Sequence, residues 1–258
     1  SENTLSYKLE TKSGHNIDAL AGFTAYRYKS DNFTLSGQGY MDDDVLWNNM
    51  NAVTDKETYS AATGLTKRTK MSLLARFNYN YKQRYYLTVT GRYDGSSKFP
   101  ANSQWGFFPS ASVGWRLSEE PWLKPHVEGW LDNFKIRASI GSLGNANIDP
   151  YQYLETMTAT NSASIAKSSV IINGQNVPYT SVPSLIPDDI TWEKVTTYNI
   201  GLDLDLFHNR LSFTGDYYRR NTTDLYTVGP NLPQALGSAA PYGNYASLKT
   251  KGWEVSLG

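Results

Sequence analysis

The chain contains no cysteine, which excludes a disulfide scaffold and a thiolate metal site and is compatible with an oxidising compartment without requiring one. It also has no run near the ~20 consecutive apolar residues that a membrane helix needs. With a mean hydropathy of −0.50, any crossing of a bilayer has to be by closed strands. Charge of one sign is not in excess, because 24 Lys and Arg balance 24 Asp and Glu. No basic run is longer than Lys67-Arg68, so nucleic acid is not an expected partner. Histidine is scarce, at three residues. His15, His126 and His208 stand apart, and no serine or carboxylate is spaced to serve any of them. A set of nucleophile, base and orienting group is therefore not expected; nor is an enzyme or a cofactor.

Aromatic residues are abundant, with 19 Tyr, 7 Trp and 9 Phe making 14% of the 258 residues. A polar average with many aromatics is the composition of transmembrane β-barrels. The pattern is clearest in a hairpin from Thr196 to Arg220. Tyr198, Ile200, Leu202, Leu204 and Leu206 share one face of its first arm, and Asn199, Gly201, Asp203 and Asp205 the other, because side chains alternate along a strand. The second arm divides in the same way, with Leu211, Phe213, Gly215 and Tyr217 opposed to Ser212, Thr214, Asp216 and Tyr218. Only the turn His208-Asn209 separates the arms.

The same period-2 test gives ten strand candidates, at 3–11, 16–28, 33–40, 70–81, 84–93, 105–117, 132–141, 194–207, 210–220 and 246–257. The fold class expected is all-β: an antiparallel up-and-down transmembrane barrel, incomplete, with these strands forming part of a larger wall. Short and long connections alternate, as periplasmic turns and external loops do, except that 12–15 is short where a long one is due and 118–131 is longer than its class. Charges avoid the oily faces: Arg76, Arg92, Arg116, Lys135, Arg137, Asp203, Asp205 and Asp216 are all opposite. Lys194 and Arg219 break this rule, and are assigned to strand ends where snorkelling reaches water. Tyr28, Tyr40, Tyr79, Tyr81, Tyr85, Tyr93, Trp105, Trp115, Tyr217, Tyr226 and Trp253 fall near strand ends, as aromatic girdles do. Small residues on the wet face (Thr88, Thr90, Ser110, Ser112, Gly114, Ser139) fit a wide bore holding water or a plug. On pattern alone two rivals stay open: a soluble or surface-attached β-sandwich binding carbohydrate, and a self-contained ten-stranded barrel.

Specific words then narrow the choice. Arg92-Tyr93-Asp94-Gly95-Ser96-Ser97-Lys98-Phe99, Trp105-Gly106-Phe107-Phe108-Pro109-Ser110 and Gly114-Trp115-Arg116-Leu117-Ser118-Glu119-Glu120 resemble runs of the SusC/RagA family of TonB-linked outer-membrane transporters. Asn133 to Ser139, Gly144-Asn145, Trp192-Glu193-Lys194, Tyr198 to Asp203, Asp216-Tyr217-Tyr218 and Lys251-Gly252-Trp253-Glu254 continue the resemblance in order, over about residues 15–258. It implies a barrel of about 22 strands around an N-terminal plug, in the outer membrane of a Gram-negative bacterium. It also implies import of oligosaccharide or peptide, a SusD-like surface lipoprotein as lid, membrane lipid around the wall, and energy from the TonB complex. Residues 1–258 are then part of the barrel of a longer protein, with signal peptide, plug, TonB-contacting segment and terminal strands outside them.

The candidate ligand-facing residues lie in the long loops. Asp42, Asp43 and Asp44 offer hard oxygens of the kind calcium takes, but no spaced glycine or distal carboxylate completes a site, and a solvated acidic loop is the favoured reading. No metal site is expected. Trp47, Tyr151 and Tyr153 have ring faces on which sugars stack, or which pack the loops against each other or a lid. For the 94–99 run the expectation is loop shaping through Asp94-Gly95 turn chemistry.

Overall fold

The computed structural model describes residues 1–40, 49–157, 171–177, 180–187, 189–233, 235, 237 and 239–258. The elements in chain order are β1 (Glu2–Glu10), β2 (His15–Tyr40), β3 (Val53–Tyr81), β4 (Tyr85–Ser96), β5 (Trp105–Arg116), the one-turn helix α1 (Lys124–Val127), β6 (Leu131–Asn145), β7 (Ile171–Ile172), β8 (Gln175–Asn176), β9 (Glu193–Leu206), β10 (Leu211–Val228) and β11 (Tyr242–Leu257). Nine of the strands form one sheet in the order β1-β2-β3-β4-β5-β6-β9-β10-β11, while β7 and β8 pair only with each other. The pairs β1–β2, β3–β4, β4–β5, β5–β6, β6–β9, β9–β10 and β10–β11 are antiparallel. Strands consecutive in this sheet follow one another in the chain, with only β7 and β8 intervening between β6 and β9, and the connections 11–14, 82–84 and 207–210 are too short for a crossover.

Nine strands form where the alternation gives ten candidates, since 16–28 and 33–40 are one continuous strand, β2. The polar run Lys29-Ser30-Asp31-Asn32 reads as a turn, yet it is extended backbone. This merger removes the exception at 12–15, while 117–130 stays longer than its class. The connections 11–14, 82–84, 117–130 and 207–210 now all fall at one parity, and 41–52, 97–104, 146–192 and 229–241 at the other. The self-contained ten-stranded barrel does not form, because β1 and β11 are the two edges of the sheet and, among the described residues, do not pair.

The chain divides into two compact units, Ser1–Ala25 with Lys70–Gly258, and Tyr26–Thr69. The second is a ribbon of the far part of β2 and the near part of β3. Among its described residues the one fully buried side chain is Val53. Tyr59 donates its hydroxyl hydrogen to the Met50 carbonyl at 2.5 Å, and Tyr40 donates to Met50 Sδ at 2.9 Å. The Arg68 guanidinium lies 4.5 Å from the centre of the Tyr28 ring.

The first unit has almost no core between strands. Its registers keep the two faces in line across the sheet: Tyr81, Tyr85, Trp115, Ile136, Leu202, Gly215 and Val255 form one cross-strand row. Tyr79, Leu87, Val113, Ala138, Ile200, Tyr217 and Trp253 form the next row on that face. Among the described residues no second layer covers it. Phe107, Ile200 and Trp253 are 60%, 62% and 75% exposed, which excludes the sandwich, where these side chains would interlock with a facing sheet.

Candidate functional site

The bare apolar face is itself a functional surface. On β5 it is bounded by Trp105 and Trp115, and on β4 by Tyr85 and Tyr93. Ten steps of about 3.3 Å, tilted by about 40°, give an apolar band about 25 Å tall, the thickness that transmembrane barrels present to lipid. Tyr93 stacks on Trp105 with ring centres 4.9 Å apart. Tyr226 is not part of a girdle, because it packs against a buried cluster described below. Arg219 is not at a strand end either: β10 continues to Val228.

The opposite face carries the charges, and they are joined. Arg137 on β6 reaches across β9 to β10. Its Nε and one Nη donate to both carboxylate oxygens of Asp203, at 2.7 and 2.8 Å, and that Nη also donates to Asp216 at 3.0 Å. Gly201 lies in the path: a Cβ there would stand 2.5 Å from the Asp216 carboxylate and 2.7 Å from Arg137. On this face glycine at 201 is thus a requirement of the guanidinium crossing it. Arg116 donates to Asn133 at 2.9 Å, and Asn133 in turn to Asp205 at 3.0 Å.

At the short-connection end, Glu120 organises the turn 117–130. It is 5% exposed, accepts from Trp115 Nε1 at 3.0 Å and pairs with Arg84 at 3.1 Å. Hydrogen bonds from Tyr85 and Trp115, with the Arg84 charge beside them, hold its carboxyl below the usual carboxylate range. Lys124, bonded at 2.8 Å, does the same for Glu119.

At the other end the loops are tied by a buried knot. Phe99, Phe108, Ile148, Ile190 and Trp192 form the main buried apolar cluster. Trp192 lies 4.8 Å from Phe99 and 5.4 Å from Phe108 between ring centres. Its indole N–H donates to the Gln104 carbonyl at 3.3 Å. Lys98 is buried, its ammonium donating to the carbonyls of Ala146 (3.1 Å) and Ile148. Gly144 presses directly on the Phe108 ring. The 94–99 run therefore joins the 97–104 loop to the 146–192 loop. The turn role expected of Asp94-Gly95 is not what forms: both residues are inside β4, Asp94 holds Arg92 Nε at 2.7–2.8 Å, and Gly95 lies beneath the Trp105 ring. The alternation gave no sign of this knot, since its members are far apart in the chain; the repeated aromatic words were the available signal.

Above the knot is an open cleft of about 660 Å³ between segments 150–156, 181–186 and 237–242. Its walls are fixed by Ser184 N–H donating to the Thr156 carbonyl at 3.0 Å and Gly229 N–H donating to the Pro241 carbonyl at 2.8 Å. Tyr226 stacks on Tyr242 and donates to Gln152. The structure separates the two loop tyrosines. Tyr151, at φ 69°, is exposed and lines the cleft, while Tyr153 packs on the knot. No charged side chain lines the cleft among the described residues. Asp42, Asp43, Asp44 and Trp47 lie outside the described residues. Among those described, no three His, Asp or Glu side chains gather as a metal ion would require.

Comparison with known proteins agrees with this geometry. The family model described as TonB dependent receptor-like, beta-barrel, matches residues 2–258. TonB-dependent receptor P3 of Formosa agariphila is 30% identical over 257 residues, which cover 100% of this chain and 24% of that protein. TonB-dependent receptor SusC of Bacteroides thetaiotaomicron is 35% identical over 196 residues, 72% of this chain and 19% of that protein. The structure of the RagAB peptide transporter superposes with a TM-score of 0.83 at 26% identity, over 99% of this chain and 27% of that one. The chain thus spans about a quarter or less of the length of the curated relatives it matches.

Proposed function

Because the chain belongs to the TonB dependent receptor-like β-barrel family, we propose that residues 1–258 are wall and extracellular loops of an outer-membrane, TonB-dependent active importer working with a SusD-like lipoprotein. The family is one of receptors, and the chain is not an enzyme. The observation that carries the reading is the uncovered apolar face backed by a charged, hydrogen-bonded one. Only lipid outside and water or a plug inside satisfy both faces of one sheet.

The cargo in this reading is an oligosaccharide or a peptide. The tyrosine-bearing, uncharged cleft beside Tyr151 suits a neutral sugar chain stacked on ring faces. The peptide alternative is favoured by the likeness to the RagAB peptide transporter. Deleting the gene in its native host and following uptake of labelled oligosaccharides and peptides, with and without a protonophore, tests the proposal. Energy-dependent uptake of one class is expected to disappear with the gene. Unchanged uptake of both classes, or recovery of the protein in the soluble fraction, overturns it.

A further inference from the structure

The outward positions of β9, β10 and β11 change character partway along each strand. From the short-connection end, Leu206, Leu204, Leu202, Ile200 and Tyr198 give way to Lys194 on β9. Tyr217 gives way to Arg219 on β10, and Trp253 to Lys251 and Lys249 on β11. Register brings three of the cations together: Arg219 is directly opposite Lys251 and faces Tyr198 on its other side, and Asn221 faces Lys249, while Lys194, opposite Thr223, is four positions farther along, about 13 Å. All four are exposed. None of the ion pairs among the described residues includes them. Of the two acids on β10, Asp216 is on the opposite face and held by Arg137 at 3.0 Å, and Asp224 accepts from the Thr223 hydroxyl at 3.1 Å.

Like charges directly opposite across a ladder are destabilising unless an anion lies between them. Eight steps from Leu206 to Tyr198, at about 3.3 Å each and tilted by about 40°, put this belt about 20 Å from the start of the apolar band. That places Arg219 and Lys251 in about the last 5 Å of the band of about 25 Å, within snorkelling reach of the headgroups, with Lys249 and Lys194 two and four positions farther toward the long loops, the external side of such barrels. Immediately below it an open groove of about 610 Å³ runs along the apolar face. Ala111 and Ala138 leave its floor low, Ile140, Tyr198 and Tyr217 wall it, and Arg219 closes its end. A single outward lysine is explained by snorkelling. Snorkelling does not explain three cations on two adjacent strands, Arg219, Lys251 and Lys249, beside the mouth of an apolar groove.

We propose that this surface binds a phosphate-bearing lipid of the outer leaflet, the phosphate between Arg219 and Lys251, flanked by Lys249, and an acyl chain in the groove. The site rests on the membrane-spanning reading above but is independent of cargo. Its test uses the full-length protein in phosphatidylcholine nanodiscs doped with lipopolysaccharide, either intact or stripped of its lipid phosphates, with bound lipid read by native mass spectrometry. The double variant R219S/K251S is expected to hold about thirty-fold less intact lipid, the equivalent of about 1 kcal/mol per cation. R219K/K251R is expected to retain it, and stripped lipid to bind wild type weakly. Equal retention of intact and stripped lipid by wild type overturns the site without recourse to any variant. So does equal retention by R219S/K251S, or loss of self-association in that variant with lipid unchanged, which would mark a contact between copies. Recovery of the protein in the soluble fraction would instead defeat the importer reading, so the two failures are distinguishable.

Discussion

Replacing Phe99 with alanine isolates the contribution of the buried knot. The Phe99 ring is fully buried, 4.8 Å from Trp192 between ring centres and clustered with Phe108, Ile148 and Ile190. Truncating such a ring costs about 3–5 kcal/mol. The nine-strand ladder does not depend on this ring, so the cost falls on opening of the 97–104 loop and of its attachment to 146–192. An opening free energy lowered by that amount raises the open population by about a hundred- to several-thousand-fold. Hydrogen exchange on the full-length protein in detergent reads this directly. The amides of Ser96, Phe99 and Ser103, bonded to the carbonyls of Gln104, Ser96 and Pro100, are expected to exchange faster by about two to three orders of magnitude. Ladder amides between Leu87 and Tyr93 are expected to keep their protection, and Phe107→Ala, which removes an exposed ring from the lipid face, is the control. Unchanged exchange at 96–104, or an equal rise along the ladder, would refute the assignment of the knot as a local tie between loops.

Three further outcomes follow from the two faces and the turns. Val89→Arg, outward and midway between Tyr85 and Tyr93, is expected to destabilise the barrel in lipid by about 2–4 kcal/mol; Thr88→Arg, pointing to the bore, is expected to cost little beyond its hydrogen bond to Asn78. Denaturant midpoints in liposomes compare the two, and equal losses would contradict the assignment of faces. Arg137→Met is expected to cost about 1–2 kcal/mol, since its ion pairs are partly exposed, and adding Asp203→Asn and Asp216→Asn is expected to recover part of that in the same assay. Glu120 and Glu119 have folded pKa values below their unfolded ones, so their contribution is complete above the unfolded value of about 4.3 and is lost as pH falls through the folded value. Amide protection in 117–130 is therefore expected to weaken on acidification below about pH 4, and Glu120→Gln to be weakened already at neutral pH.

Where one face of a strand is dry, the sequence displays the strand. Leu202, Leu204 and Leu206 against Asp203 and Asp205 are legible because lipid or protein must cover one side and water the other. Where both faces are wet that contrast vanishes. For this reason Lys29 to Asn32 reads as a turn inside β2, and the extension of β10 from Arg220 to Val228 is invisible. The candidate loop residues were legible only by type. Tyr151 and Tyr153, two positions apart, have opposite fates, one lining a cleft and the other packed on the knot, and no local pattern distinguishes them.

The order of residues by itself determined an antiparallel meander with one oily face, its charges turned the other way, and membership of a transporter family, because each of these is written in neighbours one or two positions apart or in contiguous words. Tertiary structure alone decided that no second sheet of the described residues covers the oily face, which residues meet across the sheet, and that residues of the matched words meet in one buried knot. Phe99 and Trp192, Arg137 and Asp216, and Arg219 and Lys251 become neighbours only when register and loop closure bring distant segments together. Their contacts depend on through-space distances of a few ångströms, to which spacing along the chain is no guide.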